Sequence, residues 1–207
     1  MRILLTAFEP FGGSDRNPTL EIARSISASM PSIATMVLPV VTGTGPGSAW
    51  AVLRPILDEP WDVIVHLGES AKANMIMVER VAVNLRDNSV ADNTGSMLRD
   101  ALVVDGGPAA YFSTLPVREL VEASIAAGVP CALSLSAGTF LCNETMYRTL
   151  DAMHGAGRST VTGFVHVPQL PEQAAARGGP SMEAVIMARA VGAMLRWLDE
   201  GPRLVHA

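Results

Sequence analysis

The 207-residue sequence lacks several features that would assign it elsewhere. No apolar run approaches the roughly 18 residues that a membrane-spanning helix needs. Residues Met1 to Glu9 carry one early charge and a very short apolar run, without the longer core and cleavage site of a signal peptide, so they read as a first strand. A surplus of positive charge is also missing. The net charge is −5, which gives no electrostatic reason to expect nucleic acid or an anionic membrane as partner. Cysteine is scarce: Cys131 and Cys142 are the only two. They cannot build a disulfide framework, and no Cys/His spacing suits zinc. The cytoplasm is therefore the expected compartment. Gly12-Gly13 and Gly106-Gly107 fit no phosphate-binding fingerprint. Asp87, Asp92 and Asn93 lack calcium-loop spacing and read as turn residues. No metal or cofactor is expected.

What is present suits a buried core. Apolar residues make up 49% and charged residues 17% of a length expected to form a single domain over 1–207. Strand candidates are Arg2 to Phe8, Ile33 to Val40, Asp62 to Gly68, Met75 to Asn84, Cys131 to Ser136 and Ser159 to Val167. In the fourth of these, Met75, Met77, Glu79, Val81 and Val83 would share one face. Asn17-Pro18 starts a helix that runs to about Met30, with Asn as cap and Pro at the first helical position. Ser48 to Asp58 and Val117 to Ala127 read as helices, with Pro55 unsettling the last turn of the first. Residues Leu102 to Tyr111 have no clear period, and Leu170 to Pro180 read as a loop. On the last helix Met187, Val191, Met194, Leu195 and Leu198 form an apolar stripe, with Gly201 and Pro202 as its stop. This alternation predicts a three-layer α/β/α sandwich on a mostly parallel, partly mixed sheet. Ligands in such sheets bind outside the C-terminal ends of strands.

The stretch Ser136-Ala-Gly-Thr-Phe-Leu-Cys142-Asn-Glu-Thr145 joins the Cys131 strand to a helix marked by Met146, Leu150 and Met153. Thr139 is the expected N-cap, which puts Cys142 in the first helical turn, where free N–H groups and the helix dipole favour a thiolate. A thiol of ordinary pKa is only about 3% thiolate at pH 7. The dipole contributes too little to change that, ~0.3–1 kcal/mol at exposed sites, so a nucleophilic Cys142 needs a histidine. Position alone leaves the alternative of a small buried hydrophobe open. Cys131 reads as core. Of the four histidines, His206 lies in the tail, and His154 sits at a helix end, where a cation complements the dipole. His66 and His166 lie near strand ends, and His166, before Val167 and Pro168, would face the crevice. From position alone a hydrogen-bonded core histidine is the more ordinary reading. Glu79, a carboxylate among apolar neighbours, could orient the imidazole as the third member of a triad, or could instead pair with Arg80 or Arg86. Phe8 and Phe11 flank a loop at a strand end, where they either wall a small apolar pocket or pack in the core.

Four separated blocks match a known family in order and spacing. They are Leu4 to Gly13 with Asn17-Pro18, Glu79 to Asn84 with Asp92 to Gly95, Ser136 to Asn143, and Gly163 to Pro168 with Leu170 to Gln173. On these the chain resembles the cysteine-type pyroglutamyl peptidases (pyrrolidone-carboxylate peptidases). The resemblance implies Cys142 as nucleophile, His166 as general base and acid, and Glu79 as orienting carboxylate. It further implies cofactor-free removal of an N-terminal pyroglutamyl residue from peptides through an acyl-enzyme, by a cytoplasmic enzyme that is often a homotetramer. Phe8 and Phe11 match the aromatic residues that sandwich the lactam ring, and Asn17 and Phe140 match positions lining that pocket. The backbone N–H of Cys142 is a natural oxyanion donor. Two positions depart from the pattern. Glu69 stands where the family usually has a glutamine near the ring, and an ionised Glu only accepts hydrogen bonds. Ser89 stands where the family usually has an arginine, a loss for which Arg86 could compensate. These changes motivate an alternative, a divergent thiol amidohydrolase acting on another small cyclic or N-acyl amide. A catalytically silent binding protein would be a third reading.

Overall fold

The computed structural model describes residues 1–201; the expectations for Pro202 and His206 fall outside them. In chain order the elements are β1 (Ile3–Phe8), α1 (Pro18–Ser29), β2 (Ala34–Leu38), α2 (Ala49–Leu53), β3 (Val63–Ser70), β4 (Ile76–Glu79), β5 (Val81–Val83) and β6 (Ala110–Phe112). They continue as α3 (Val117–Ala126), β7 (Cys131–Ser134), α4 (Leu141–Gly155), β8 (Val161–Pro168), α5 (Pro171–Arg177) and α6 (Ala184–Glu200). Six strands form one sheet in the order β2-β1-β3-β8-β4-β7. All neighbours pair in parallel except β4 with β8. Consequently β4 and β7 run opposite to the other four strands.

The sheet is buried on both faces, as a mostly parallel sheet must be. Period-two alternation sends Ile3, Leu5, Val65, Leu67, Ile76, Val78, Val165 and Val167 into one core, shared with α1, α3 and α6. The intervening residues Leu4, Phe8, Ile64 and Phe164 enter a second core under α2 and α4. The α6 stripe of Met187, Val191, Met194, Leu195 and Leu198 is fully withdrawn from solvent, at roughly 1.5–3 kcal/mol per large side chain. Asn17 caps α1 as expected, its Oδ1 accepting from the Thr19 N–H at 3.0 Å.

Several expected elements differ. The extended segment from Met75 breaks at Arg80: β4 stays in the main sheet, while β5 pairs with β6 in a separate ribbon. In β4 the deepest apolar residues are Ile76 and Val78, on the opposite face from Glu79. The Ser48 helix ends at Leu53, and a short 3-10 turn, Ile56–Asp58, follows Pro55. Residues 170–180, expected as a loop, contain α5, with Pro171 at its first position. Among the described residues no helix is long and apolar enough to cross a membrane.

Candidate active site

Cys142 is the second residue of α4, but it does not arrive there by a tight turn off a strand end. Strand β7 runs against β8, so its C-terminal end lies level with Phe164 rather than with the ends of β3 and β8. Residues 135–140 carry the chain back across the sheet. Phe140, not Thr139, occupies the cap position, and its side chain makes no capping bond. Thr139 instead ties the return to a neighbouring segment, its hydroxyl donating to the Asp87 carbonyl at 2.7 Å while the Asp87 N–H donates to its own carbonyl at 3.0 Å. On the other side of Cys142, the buried Asn143 accepts from the Val83 N–H at 2.8 Å and donates to the Val83 and Leu85 carbonyls at 2.8 and 3.0 Å. Cys142 is thereby held between two fixed neighbours, half-buried, with no helical partner available for its N–H.

The sulfur lies against β3 at Gly68, the residue in register with His166. A Cβ at Gly68 would stand 2.8 Å from Cys142 Sγ and 2.6 Å from the Phe164 ring, so only glycine lets the sulfur come this close. His166 is buried, and its Nδ1 donates to Glu79 Oε1 at 2.8 Å. Glu79 is buried as well; it pairs with this imidazole rather than with Arg80 or Arg86, and its Oε2 has no partner among the described residues. Burial pushes the His166 pKa down, but the charge and hydrogen bonding of Cys142 and then of Glu79 outweigh it and raise the pKa to about 10. The pairing thus favours the imidazolium over the neutral ring.

The other histidine near a strand end is a core residue. His66 is fully buried, with Nδ1 2.7 Å from the Thr6 hydroxyl and Nε2 3.1 Å from that of Thr149. Because Thr149 donates its own proton to the Thr145 carbonyl, His66 must donate through Nε2 and accept at Nδ1. Burial lowers its pKa to about 3 and keeps it neutral. Cys131 is a buried free thiol whose pKa burial raises to about 11, which makes it inert.

Beside Cys142 opens a small pocket lined by Phe8, Phe11, Asn17, Val40, Glu69, Phe140, Leu141 and Cys142. Every substrate-side residue anticipated from sequence is therefore on one wall or another. Phe11 and Phe140 face each other with ring centroids 6.5 Å apart. The loop carrying Phe11 is anchored from several sides. Asn17 Nδ2 donates to the Glu9 carbonyl at 2.9 Å, and Asn93 Nδ2 donates to the Pro10 carbonyl at 3.0 Å. Asp92 in turn accepts from the N–H and hydroxyl groups of Thr42 and Thr94 and from the Ser96 N–H. The turn reading of Asp92 and Asn93 thus holds, and the turn itself braces the pocket.

Glu69 points inward and is bound on both oxygens: Gln173 Nε2 donates to Oε2 at 3.1 Å, and Arg177 forms an ion pair with Oε1. Arg86 gives the pocket nothing, because it is held by the Leu102 carbonyl at 2.9 Å and by the buried Glu144 at 3.5 Å. Ser89 is exposed. Sequence reasoning missed Gly68, Phe164, Asn143, Gln173 and Arg177. Phe164, Asn143 and Gln173 lie inside the blocks that carry the family resemblance, but nothing in their local pattern marked a role.

A family model described as pyroglutamyl peptidase matches residues 1–197. The chain belongs to this family. A pyrrolidone-carboxylate peptidase of Pectobacterium carotovorum is 40% identical over 195 residues, covering 94% of this chain and 91% of that protein. One from Pyrococcus furiosus is 40% identical over 177 residues, covering 84% and 83%. Among solved structures, a pyrrolidone carboxyl peptidase from P. furiosus superposes with a TM-score of 0.87 at 37% identity, over 97% of this chain and 99% of that one. Pyroglutamyl peptidase I of Bacillus amyloliquefaciens superposes with a TM-score of 0.86 at 34% identity, over 93% and 94%.

Proposed function

We propose that Cys142, His166 and Glu79 form the catalytic triad of this enzyme, and that the pocket of Phe8, Phe11, Asn17, Glu69 and Phe140 receives the lactam ring. As a member of its family the chain is a cysteine peptidase that removes N-terminal pyroglutamate. The observation that carries the assignment is the sulfur lying over Gly68, beside an imidazole bonded to a buried carboxylate.

The Cys142 thiolate, paired with the His166 imidazolium, attacks the pyroglutamyl carbonyl. Charge developing on the carbonyl oxygen is met by the free N–H at the start of α4. His166 then protonates the departing amine through Nε2, because Nδ1 is committed to Glu79. The resulting thioester is cleaved by water, from which His166 takes a proton. Glu79 keeps the ring in one orientation and stabilises its cation without itself changing protonation. Aromatic walls suit a flat, uncharged ring, and fixed polar groups set its orientation.

Release of a chromogenic amine from a pyroglutamyl derivative tests the reading. Cys142→Ser should lower kcat/KM by at least ~10⁴-fold; a variant retaining a tenth of the activity would refute the nucleophile assignment. Family resemblance extends the proposal to a single catalytic domain over 1–207, in a cytoplasmic homotetramer, which light scattering on the purified enzyme would test.

A further inference from the structure

Glu69 poses a problem of charge. Its side chain is buried at the edge of an apolar pocket, where an uncompensated carboxylate is costly. Its neutraliser comes from 108 residues away in sequence. Arg177, the last residue of α5, is held at two points, with Nη2 on Glu69 Oε1 and Nε donating to Gln169 Oε1 at 2.6 Å. Gln169 is itself fully buried and donates to the Gly178 and Pro180 carbonyls at 2.7 and 3.0 Å. Gln173, on the same helix, reaches Glu69, Ser14 and the Arg16 carbonyl. An ion pair of Arg16 with Glu172 adds a further tie. The guanidinium is therefore fixed on Glu69 by this network, although it does not itself line the pocket.

We propose that Arg177 is a specificity-determining residue, which cancels the charge of Glu69 so that the pocket takes an uncharged lactam ring and rejects the cationic amine of an unblocked N-terminus. The inference rests on the reading of this pocket as the ring site. A carboxylate oxygen has two acceptor positions. With one taken on each oxygen by Arg177 and Gln173, Glu69 keeps acceptor capacity for a ring N–H and carries no net charge to the pocket. An amine entering there must shed its hydration with no unpaired counter-charge to replace it. Without Arg177 the same carboxylate becomes an amine-binding group. Discrimination thus comes as much from what the ion pair repels as from what Glu69 accepts.

Pyroglutamyl amide and prolyl amide separate these effects: both have a five-membered ring, but at pH 7 the second carries a secondary ammonium. Their dissociation constants are to be measured by calorimetric titration of Cys142→Ser protein in three forms: with Arg177 intact, with Arg177→Gln, and with Arg177→Gln plus Glu69→Gln. The intact form should bind the lactam far more tightly than the amine. Arg177→Gln should narrow that ratio by about tenfold or more, and Glu69→Gln on top of it should restore the ratio, because no charge is left to balance. An unchanged ratio in Arg177→Gln overturns the inference while the ring-site reading stands. A narrowed ratio that Glu69→Gln does not reverse also overturns it, since simple loss of structure would then be the cause. If the intact form binds neither amide, the ring-site reading falls and this inference falls with it.

Discussion

Gly68→Ala is the sharpest perturbation of the site, because it adds one methyl group to a residue that does no chemistry. Carbon atoms pack at roughly 3.5–4.0 Å, and the new Cβ would sit 2.6 Å from two carbons of Phe164 and 2.8 Å from Cys142 Sγ. The shortfall against the ring is about 0.9 Å. Phe164 has nowhere to go: it is fully buried in β8, with its ring 4.8 Å from that of His166 and 6.5 Å from that of Phe8, centre to centre. The half-buried Cys142 is the easier group to displace, so the strain falls on its sulfur. Overpacking of this kind costs about 1–3 kcal/mol of stability. A misplacement of about 1 Å at a reacting atom costs on the order of 10²-fold in rate. Urea denaturation, kcat/KM on a pyroglutamyl chromogenic substrate and the iodoacetamide rate at Cys142 report the three effects separately. Gly192→Ala on α6 is the control. Its Cβ would meet only the flexible end of Arg196 at 3.4 Å and Ile26 at 3.6 Å, and helical alanine gains roughly 0.5–1 kcal/mol over glycine. Gly68→Ala protein that keeps kcat/KM and thiol reactivity within twofold of wild type would refute the close-approach reasoning.

Three further outcomes follow from the same geometry. Glu79→Gln removes one of the two partners, Cys142 and Glu79, that raise the His166 pKa. The alkaline limb of the pH–rate profile and the His166 ring titration by NMR should both move to lower pH, with kcat reduced ~10²-fold or more; an unmoved titration would remove Glu79 from its role. His66 is held neutral in the fold, with its pKa lowered to about 3 from 6.5. Its contribution is whole above pH 6.5 and lost as pH falls toward 3, because only the unfolded chain binds the proton in that window. The stability of His66→Gln, followed by denaturant titration at several pH values, should accordingly fall less steeply on acidification. Asn17→Ala should lose about 1 kcal/mol from the α1 cap, and it also frees the Glu9 carbonyl that anchors the Phe11 loop. KM should therefore rise more than kcat falls; a purely thermal effect with unchanged KM would separate the cap from the pocket.

How much of this was legible in the sequence depended on whether the signal was local. The α1 cap, the α6 stripe and the strands Ile3–Phe8 and Val161–Pro168 were readable because cap chemistry and apolar period act over a few residues. The direction of β7 was not. Composition and alternation are the same for a strand run either way, and only pairing with β4 reverses it. That reversal is why Cys142 reaches the site by a six-residue return instead of a turn, and why the expected Thr139 cap is spent on Asp87. Residues 170–180 misled for a different reason. Pro171 and Gly178-Gly179 act as breakers, but at the two ends of α5 they are the punctuation of a short helix, and Gln173 Oε1 closes its first turn on the Leu170 N–H at 2.8 Å.

The roles of the titratable groups show the same limit more sharply. His66 and His166 are alike in sequence, each next to apolar residues near a strand end. What separates them is the partner: two threonine hydroxyls for one, a carboxylate and a thiol for the other. Neutral hydroxyls cannot hold a buried imidazolium, so His66 stays uncharged, whereas Cys142 and Glu79 together raise the His166 pKa and favour its charged form. Glu69 extends the principle to a residue that departs from its family's pattern. Taken alone, a carboxylate in place of a glutamine argues for a changed substrate, and Arg86, the sequence candidate to make up for the arginine absent at Ser89, is committed to Glu144. The offset comes from Arg177 instead, on a helix whose existence depends on how two breakers are read. A substitution that looks like a change of specificity when one position is considered becomes, once its ion-pair partner is found, a charge-balanced way to keep the pocket neutral.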